Sequence, residues 1–405
     1  MAMLLEGVRI LDWTQWQMGT IATAMLADLG AEVIHIEDRI RGDPGRGMKA
    51  ARGIRVELPQ GLSAYFEYCN HNKKGIAVDL GKKEGKEIIY RLVKNSDVFV
   101  HNFRQGVPER LGLGYDTLSQ YNPKLVYAAL SGYGPKGPEA NEPAFDYLGL
   151  ARSGMMTITG EPGTPPSGFA GGIADQMGAI MSSYGILAGL LARERLGIGQ
   201  RIDVSHLGSM MALEGLAIAM KLFSGQEIPR ENRRKAANPL WNHYKCGDGK
   251  WIVLGMLQAD RYWPSICKGL GIEHLEKDPK FDNMDRRREN CEELISIMDK
   301  ILSTESSAEW MKRLKEAGDV VCSSVQTISD LVDDPQAWAN EYLVECNHRI
   351  LGPMKFMGIP VQFSKTPGQI RCDAPEFGQH TEEVLIEVGN YSWEEIAVLK
   401  EKEAI

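Results

Sequence analysis

The chain has 405 residues, 43% hydrophobic and 25% charged, which is enough material for two or three folded domains with sizeable cores. Its formal net charge of −8 argues against a nucleic-acid partner, because phosphate backbones are bound by basic surfaces. The longest charge-free run, residues 176–192, is shorter than the roughly 20 apolar residues of a membrane span, which argues against a membrane protein.

The first residues and the cysteines indicate where the protein works. The opening stretch MAMLLEGVRILDW has no basic start and carries Glu6 among its apolar residues, so we do not expect a signal peptide. The seven cysteines are scattered and form neither C-x-x-C nor a zinc spacing with histidine. The eight histidines show no metal-ligand spacing either, so no metal is expected. These patterns favour a reducing compartment and a cytoplasmic location.

The first two hundred residues alternate between strand and helix patterns. The predicted helices are MGTIATAMLADLG (18–30) and KEGKEIIYRLVKN (83–95). The predicted strands are VRILDW (8–13), EVIHIE (32–37), GIAVDL (75–80), DVFVHN (97–102) and LVYAALSGY (125–133). Such alternation predicts an α/β fold with a mostly parallel sheet, whose ligands gather at the carboxyl ends of the strands.

The pattern changes after about residue 225. In HYKCGDGKWIVLGM, the Gly-Asp-Gly at 247–249 predicts a hairpin, and three helical patterns follow. We therefore predict a smaller α+β domain over 226–330. Residues 1–225 and 331–405, the latter containing two more amphipathic helices, form the larger, Rossmann-like domain.

The run GYGPKG (132–137) matches the dinucleotide-binding pattern G-x-G-x-x-G and raises the alternative of an NAD-dependent oxidoreductase. That function needs the glycines to open a helix. Pro135 lies inside the motif, Pro138 follows it, and no helical pattern begins before about residue 144. A glycine-rich turn is the better interpretation.

The segment GGIADQMG places one carboxylate, Asp175, at the start of a long apolar helix. An acid in a first helical turn is favoured on structural grounds alone, since it satisfies free N–H groups and the helix dipole. The same environment would keep a nucleophilic carboxylate ionised, and Gly171 and Gly172 would admit a substrate and an oxyanion. No serine-hydrolase or zinc-protease signature competes with it. The local sequence leaves both interpretations open.

Two basic segments, NHNKKG (70–75) and NFRQGVPERLG (102–112), flank predicted strands. Their side chains are Lys73, Lys74, Arg104 and Arg110. In an acidic protein, such groups at strand ends predict an anionic, phosphate-bearing ligand.

The chain resembles the family III CoA-transferases, which include formyl-CoA, carnitine-CoA and 2-hydroxyacyl-CoA transferases. The resemblance rests on LEGVRILDW, ADLGAEVIHIE, NHNKKGIAVDL, DVFVHNF, NPKLVYAALSGYGPKGP, FDYLGLARSGMM, the segment around Asp175, GIGQRIDVSH and GQHTEEVL, which occur in this order along nearly the whole chain. It implies transfer of CoA between an acyl-CoA donor and a carboxylic acid, with Asp175 as the nucleophile that forms an anhydride and then an aspartyl-CoA thioester. It also implies an interlocked homodimer.

The resemblance further implies a set of residues that bind coenzyme A. They are Gln17, Met18, Arg39, Val78, Asp79, Leu80, Gly81, Asn102, Phe103, Arg104 and Arg110.

Departures from the family pattern bear on the substrate. Asp38 and Pro143 stand where the formyl-CoA enzymes have an arginine and a lysine, and the glycine-rich loop of those enzymes is absent. The stretches FDYLGLARSG and NPLWNHYKCGDGKWIVLGMLQADRYW are closer to the 2-hydroxyacyl-CoA branch. A branched or aromatic 2-hydroxy or 2-enoic acid is therefore predicted.

Two alternatives stay within CoA chemistry. An α-methylacyl-CoA racemase would need a histidine before the aspartate where this chain has Phe145-Asp146. A non-catalytic CoA-binding protein would leave Asp175 without a role.

Overall fold

The computed structural model describes residues 2–405. Its strands are β1 (Arg9–Trp13), β2 (Glu32–Asp38), β3 (Ala50–Ala51), β4 (Ile54–Arg55), β5 (Lys74–Val78), β6 (Val98–His101), β7 (Val126–Ser131), β8 (Gln200–Ser205), β9 (Trp241–Lys245), β10 (Trp251–Gly255), β11 (Cys322–Ser324), β12 (Leu343–His348) and β13 (Gly352–Met357). Its helices are α1 (Met18–Asp28), α2 (Ala64–Asn70), α3 (Lys83–Lys94), α4 (Val107–Leu111), α5 (Tyr115–Tyr121), α6 (Asp146–Ser153), α7 (Met155–Ile158), α8 (Ile173–Leu196), α9 (His206–Leu213), α10 (Gly215–Ser224), α11 (Ala259–Leu270), α12 (Met284–Glu289), α13 (Cys291–Leu302), α14 (Ser307–Ala317), α15 (Ile328–Leu331), α16 (Pro335–Ala339), α17 (Thr381–Glu387) and α18 (Trp393–Glu401). The elements predicted in the first two hundred residues are confirmed, with ends displaced by at most two residues.

Six parallel strands form the main sheet, in the order β5-β2-β1-β6-β7-β8. The predicted α/β fold with a parallel sheet is thus confirmed. The strands that follow β1 in the chain, β2 and β5, are added on one side of it. The later strands β6, β7 and β8 are added on the other side. This is the strand order of doubly wound dinucleotide-binding folds, in which a crevice opens at the carboxyl ends of the two strands where the direction reverses.

Both faces of this sheet are covered, as expected for parallel strands that read as continuous apolar runs. Successive residues of β1 point to opposite sides. Leu11 belongs to the apolar cluster that includes α3, α17 and α18, and Ile10 belongs to the cluster that includes α1 and α8. Each fully buried aliphatic side chain contributes about 1.5–3 kcal/mol to the folded state. The sheet is therefore a rigid base for the loops at its edges.

The chain divides into two compact units: one comprises residues up to Met156, Gly168–Glu227 and Gln336–Ile405, and the other comprises Thr157–Ser167 and Ile228–Pro335. The second unit has its own antiparallel sheet, β11-β10-β9, and the predicted hairpin is confirmed as β9 and β10. Its core contains the buried Arg287, whose guanidinium lies 4.8 Å from the ring centre of Trp263 and donates to the carbonyl of Phe281 at 2.6 Å. Burial of that cation is compensated chiefly by its ion pair with Asp260, and also by the ring and the carbonyl.

A disulfide joins Cys346, on β12, to Cys372. The two residues are 26 positions apart. The scattered cysteines favoured a reducing compartment and gave no sign of this pairing. The fold brings together two positions whose spacing matches no cysteine motif.

Among residues 2–405, no single helix has both the length and the apolar character needed to cross a membrane. The consecutive helices α9 and α10 meet those criteria only as a pair, and they are bent by 75° where they meet.

The segment 132–137 lies in the loop that follows β7, and the next helix, α6, begins only at Asp146. The glycines therefore do not open a helix. The interpretation of this motif as a turn is confirmed.

Candidate active site

A cavity of about 250 Å³ opens at the carboxyl ends of β1, β6 and β7. The loop after β1 contributes Trp16, the loop after β6 contributes residues 102–105, and β7 contributes Ser131. The first turns of α8 and α9 add Asp175 and His206. The cavity thus lies at the reversal point of the strand order, where ligands of such sheets bind.

The start of α8 is held by residues from outside the helix. Gly172 precedes it with a φ of +72°, and a Cβ atom there would lie 2.5 Å from the side-chain amide oxygen of Gln17. Asp146, the first residue of α6, accepts hydrogen bonds through Oδ1 from the backbone N–H of Ala174 at 2.7 Å and of Asp175 at 3.2 Å. Asp146 therefore does the capping.

Because Asp146 fills that role, the carboxylate of Asp175 is not used as a cap. Its Oδ1 lies 2.7 Å from Nε2 of His206. The side chains of Asp175 and His206 are 16% and 8% exposed, so the carboxylate can be reached from the cavity and the imidazole is nearly covered. Gly149 makes room for the imidazole, since a Cβ atom on it would come within 2.7 Å of the His206 Cβ.

Aromatic side chains surround the approach to Asp175. Trp16 adopts a φ of +65°, which is rare for such a residue, and its backbone N–H donates to Oδ1 of Asp43 at 3.4 Å. Its ring packs edge-on against Phe145 and Tyr65, with centroids 6.2 and 6.5 Å away. Burial, reinforced by nearby negative charge that includes Asp175, raises the pKa of Tyr65, so its hydroxyl stays protonated.

A buried charge network lies beneath the loop that carries Trp16. The ammonium of Lys73 donates to Asp12 at 2.9 Å and to the carbonyl of Thr20 at 2.8 Å. His35 lies 3.1 Å from Asp12 and 3.6 Å from Asp43. Burial alone would lower the pKa of His35, but Asp12 and Asp43 raise it to about 9. Burial would likewise raise the pKa of Asp12, but Lys73 and His35 hold it well below its usual value. Two acids thus face two bases, which makes their burial tolerable.

The prediction that Lys73 and Lys74 face an anionic ligand is wrong. Lys73 is buried in the network just described. Lys74 begins β5 and pairs with Glu32 at 3.1 Å and Glu383 at 2.7 Å. Residues before a parallel strand lie at its amino end, which is the edge of the sheet opposite to the crevice.

Five of the residues expected to contact coenzyme A lie around the cavity. Four line it, namely Met18, Asn102, Phe103 and Arg104, and Gln17 donates to the carbonyl of Gly171 beside it at 3.3 Å. Asn102 also bonds both to the N–H and to the carbonyl of Gln15, at 2.9 and 2.6 Å. Its amide therefore holds the loop after β1 in place.

The others lie away from the lining of this cavity, namely Arg39, Val78, Asp79, Leu80, Gly81 and Arg110. Val78 and Leu80 belong to the core. The backbone N–H of Asp79 donates to Ala404 at 2.9 Å, and Arg39 donates to the carbonyl of Ile405, also at 2.9 Å. Arg110 is on α4, and within residues 2–405 neither it nor Arg104 forms an ion pair.

Two residues of the site were missed by the sequence interpretation. Asp146 was considered only as the neighbour of Phe145, and its bond to α8 spans 28 positions. His206 follows β8 directly, so the rule that ligands gather at carboxyl ends of strands could have identified it. No cluster of three or more His, Cys, Asp or Glu suited to a metal occurs in the part of the chain that the structure describes.

This chain is similar to known proteins over nearly its whole length. The profile of the CoA-transferase family III matches residues 5–381. An (R)-2-hydroxy-4-methylpentanoate CoA-transferase of Clostridioides difficile is 33% identical over 404 residues, which is 100% of both chains. A cinnamoyl-CoA:phenyllactate CoA-transferase of Clostridium sporogenes is 29% identical, over 99% of this chain and 97% of that protein. The crystal structure of a CAIB/BAIF family protein from Brucella suis superimposes with a TM-score of 0.84 and 26% identity, covering 96% of this chain and 100% of that one.

Proposed function

The chain belongs to CoA-transferase family III and is a CoA-transferase, and from that premise we propose that Asp175 is the nucleophile that carries the transfer. One observation supports this most strongly. Asp175 stands at the start of α8 but does not cap it, because Asp146 does so. Its Oδ1 is held by His206, and among residues 2–405 no hydrogen bond reaches Oδ2. A partly exposed carboxylate with one free oxygen is suited to attack.

The proposed reaction has four steps. Oδ2 of Asp175 attacks the thioester carbonyl of the donor, the C–S bond breaks, and an acyl-aspartyl anhydride and the CoA thiolate result. The thiolate attacks the Asp175 carbonyl carbon and expels the first acid, which leaves an aspartyl-CoA thioester. The acceptor carboxylate attacks that thioester to give a new anhydride and the thiolate. The thiolate then attacks the acceptor's carbonyl carbon and restores the Asp175 carboxylate. Each bond broken resembles the one formed, so the protein must chiefly align the reactants and exclude water.

We propose that the unit containing the six-stranded sheet binds coenzyme A. Arg104, at the cavity, and Arg110, on the following helix, form no ion pair within residues 2–405 and could meet the phosphates. Pro143 lines the same cavity, at the position that is lysine in the formyl-CoA enzymes. Met18 and Phe103 would lie along the pantetheine arm.

For the acid we propose a branched or aromatic 2-hydroxy or 2-enoic acid. The cavity is lined by Trp16, Leu130 and Phe145, which suits an apolar side chain next to a carboxyl group. The two transferases compared above are named for substrates of this class.

The racemase alternative is disfavoured by the position of the histidine. Inversion at an α-carbon needs one base on each face of that carbon. His206 and Asp175 are 2.7 Å apart and in contact, so no carbon fits between them. Proton exchange of a 2-methylacyl-CoA at its α-carbon in deuterated water would separate the two reactions.

We also propose a homodimer. Large apolar side chains of α8 and α10 are exposed, among them Tyr184 (66%), Leu216 (71%) and Phe223 (89%). Exposed apolar side chains of this size support an interface with another chain. A second copy of the chain is the expected partner, and its mass in solution can be measured directly.

The test of the nucleophile compares Asp175 with Glu142, a second carboxylate that lines the same cavity. Purified wild type, Asp175→Ala and Glu142→Gln are incubated with acyl-CoA donors and a panel of carboxylic acids, and CoA esters are measured by mass spectrometry. We expect no exchange in the Asp175 variant, near-normal exchange in the Glu142 variant, and an acyl or CoA adduct on the Asp175 peptide of the wild type. Normal exchange by Asp175→Ala, or wild-type turnover with no adduct, would refute the proposal.

A further inference from the structure

His206 is in direct contact with Asp175. His206 begins α9 after Ser205 has capped that helix, and its position is constrained by the close approach of Gly149. Nε2 lies 2.7 Å from Oδ1 of Asp175. In the part of the chain that the structure describes, the buried Nδ1 has no hydrogen-bond partner. The polar contact of this imidazole is thus directed at the carboxylate.

The direction of the hydrogen bond follows from the chemistry of the two groups. A carboxylate oxygen accepts and cannot donate, so Nε2 must carry the hydrogen. This holds in either charge state of the ring. Oδ1 is therefore the held oxygen, and Oδ2 is the oxygen left to attack.

In the proposed reaction, Oδ1 changes from a carboxylate oxygen to a carbonyl oxygen. Once Oδ2 has been acylated, Oδ1 is the carbonyl oxygen of the anhydride, and later of the thioester. In two steps, the attack of the thiolate and the attack of the acceptor acid, the bond forms at the Asp175 carbonyl carbon. The π electrons then move onto Oδ1, and they return when the leaving acid or thiolate is expelled.

We propose that His206 is a catalytic residue that stabilises this oxyanion on the enzyme's own aspartyl carbonyl. The inference rests on the proposed function, because it requires Asp175 to be acylated. The N–H donor is already in place before the reaction, so it need not reorganise when charge develops. No proton has to leave the imidazole in either step.

A selective effect on the steps distinguishes this role from simple positioning. The first attack, by Oδ2 on the donor thioester, does not place negative charge on Oδ1, and a hydrogen bond there slightly withdraws electrons from the nucleophile. Loss of the donor should therefore spare the first step and slow the next two. If His206 only positioned the carboxylate, its loss would instead slow the first step most.

The experiment mixes enzyme with acyl-CoA and no acceptor, and follows the burst of free CoA and the mass of the Asp175 peptide. Wild type should release CoA briefly and then hold the aspartyl-CoA thioester. His206→Leu should keep the CoA burst and accumulate the acyl anhydride. Once an acceptor acid is added, this variant should turn over about 10²–10³-fold more slowly than wild type, as on loss of one oxyanion donor. His206→Gln, which can present an amide N–H, should recover at least tenfold of that loss.

Two results would overturn the inference: a CoA burst in His206→Leu that is slowed as much as turnover, or turnover unchanged in that variant. Recovered turnover in His206→Gln would show that the loss in His206→Leu does not come from a folding defect. The absence of any Asp175 adduct in the wild type would refute the proposed function itself. If an Asp175 adduct forms in both proteins, and forms and decays in His206→Leu at the wild-type rates, only the role of His206 would be refuted.

Discussion

Asp146 accepts, through one carboxylate oxygen, the backbone hydrogen bond of Asp175, the residue 29 positions later in the chain. One acid thus satisfies the start of α8 and the other is left available for chemistry. Asp175 occupies the third position of the helix, and the four N–H groups at the start of any helix need acceptors. Without Asp146, the side chain of Asp175 would compete for that role.

The first prediction follows from the different roles of Asp146, which caps α8, and Asp175, which does not. Replacing Asp146 by Ala should lower the free energy of unfolding by about 0.5–2 kcal/mol, the usual cost of a lost cap. Transfer should fall further, by about 10²-fold, because Asp175 can then turn back towards the helix and leave its attacking position. Urea unfolding and steady-state transfer measure the two effects. Asp146→Ser, which keeps an acceptor, should retain more activity than Asp146→Ala, and equal losses would contradict the explanation.

A second prediction concerns the two glycines at the ends of α8. Gly172 and Gly197 have nearly the same φ, +72° and +73°, but only a Cβ on Gly172 would meet a neighbour, the amide of Gln17. Either change to Ala should cost about 1–2 kcal/mol for the left-handed backbone. Gly172→Ala should in addition displace the start of the helix and abolish most transfer, while Gly197→Ala stays active. Comparable activity of the two variants would mean that the contact with Gln17 is unimportant.

The third prediction is a pH dependence of stability. Asp12 and Asp43 raise the pKa of His35 to about 9, above its unfolded value near 6.5. Protonated His35 therefore stabilises the folded state fully below about pH 6.5, and this contribution is lost as the pH rises through about 9. The difference in the free energy of unfolding between wild type and His35→Gln should shrink between pH 6 and pH 10. A difference that is constant over this range would show that folding does not shift the pKa of His35.

A fourth prediction tests the two arginines without ion pairs. Arg104→Ala and Arg110→Ala should raise the KM for acyl-CoA about tenfold and leave kcat nearly unchanged, since a phosphate contact remote from the reacting atoms contributes uniform binding. Added salt should reduce the difference from wild type. Arg55→Ala removes an exposed arginine that pairs with Glu57 and is the matched control. A lower kcat with unchanged KM would place the arginines in another role.

Much of the architecture could be predicted because it depends on local sequence patterns. The apolar runs of β1, β2, β5, β6 and β7 and the periodicity of α3 were sufficient to define a parallel sheet and its ligand-binding edge. Asp175 could be singled out because a lone acid at the start of a long apolar helix is conspicuous. The hairpin of β9 and β10 was evident from its turn residues.

The roles of individual polar groups depended instead on partners far along the chain. Lys73 looked like a ligand-binding lysine, but Asp12, 61 positions away, holds it in the core. Whether the side chain of Asp175 is used to cap α8 depended on Asp146. His206, 31 positions beyond Asp175, was identified only as its neighbour in space.

The sequence by itself therefore determined the elements, the class of fold and the one carboxylate worth suspecting, because backbone periodicity and turn chemistry are local properties. Only the tertiary structure decided which acid caps α8, which base meets Asp175 and which cysteines pair. Those contacts are set by the order of strands in the sheet, and no local spacing in the chain encodes that order.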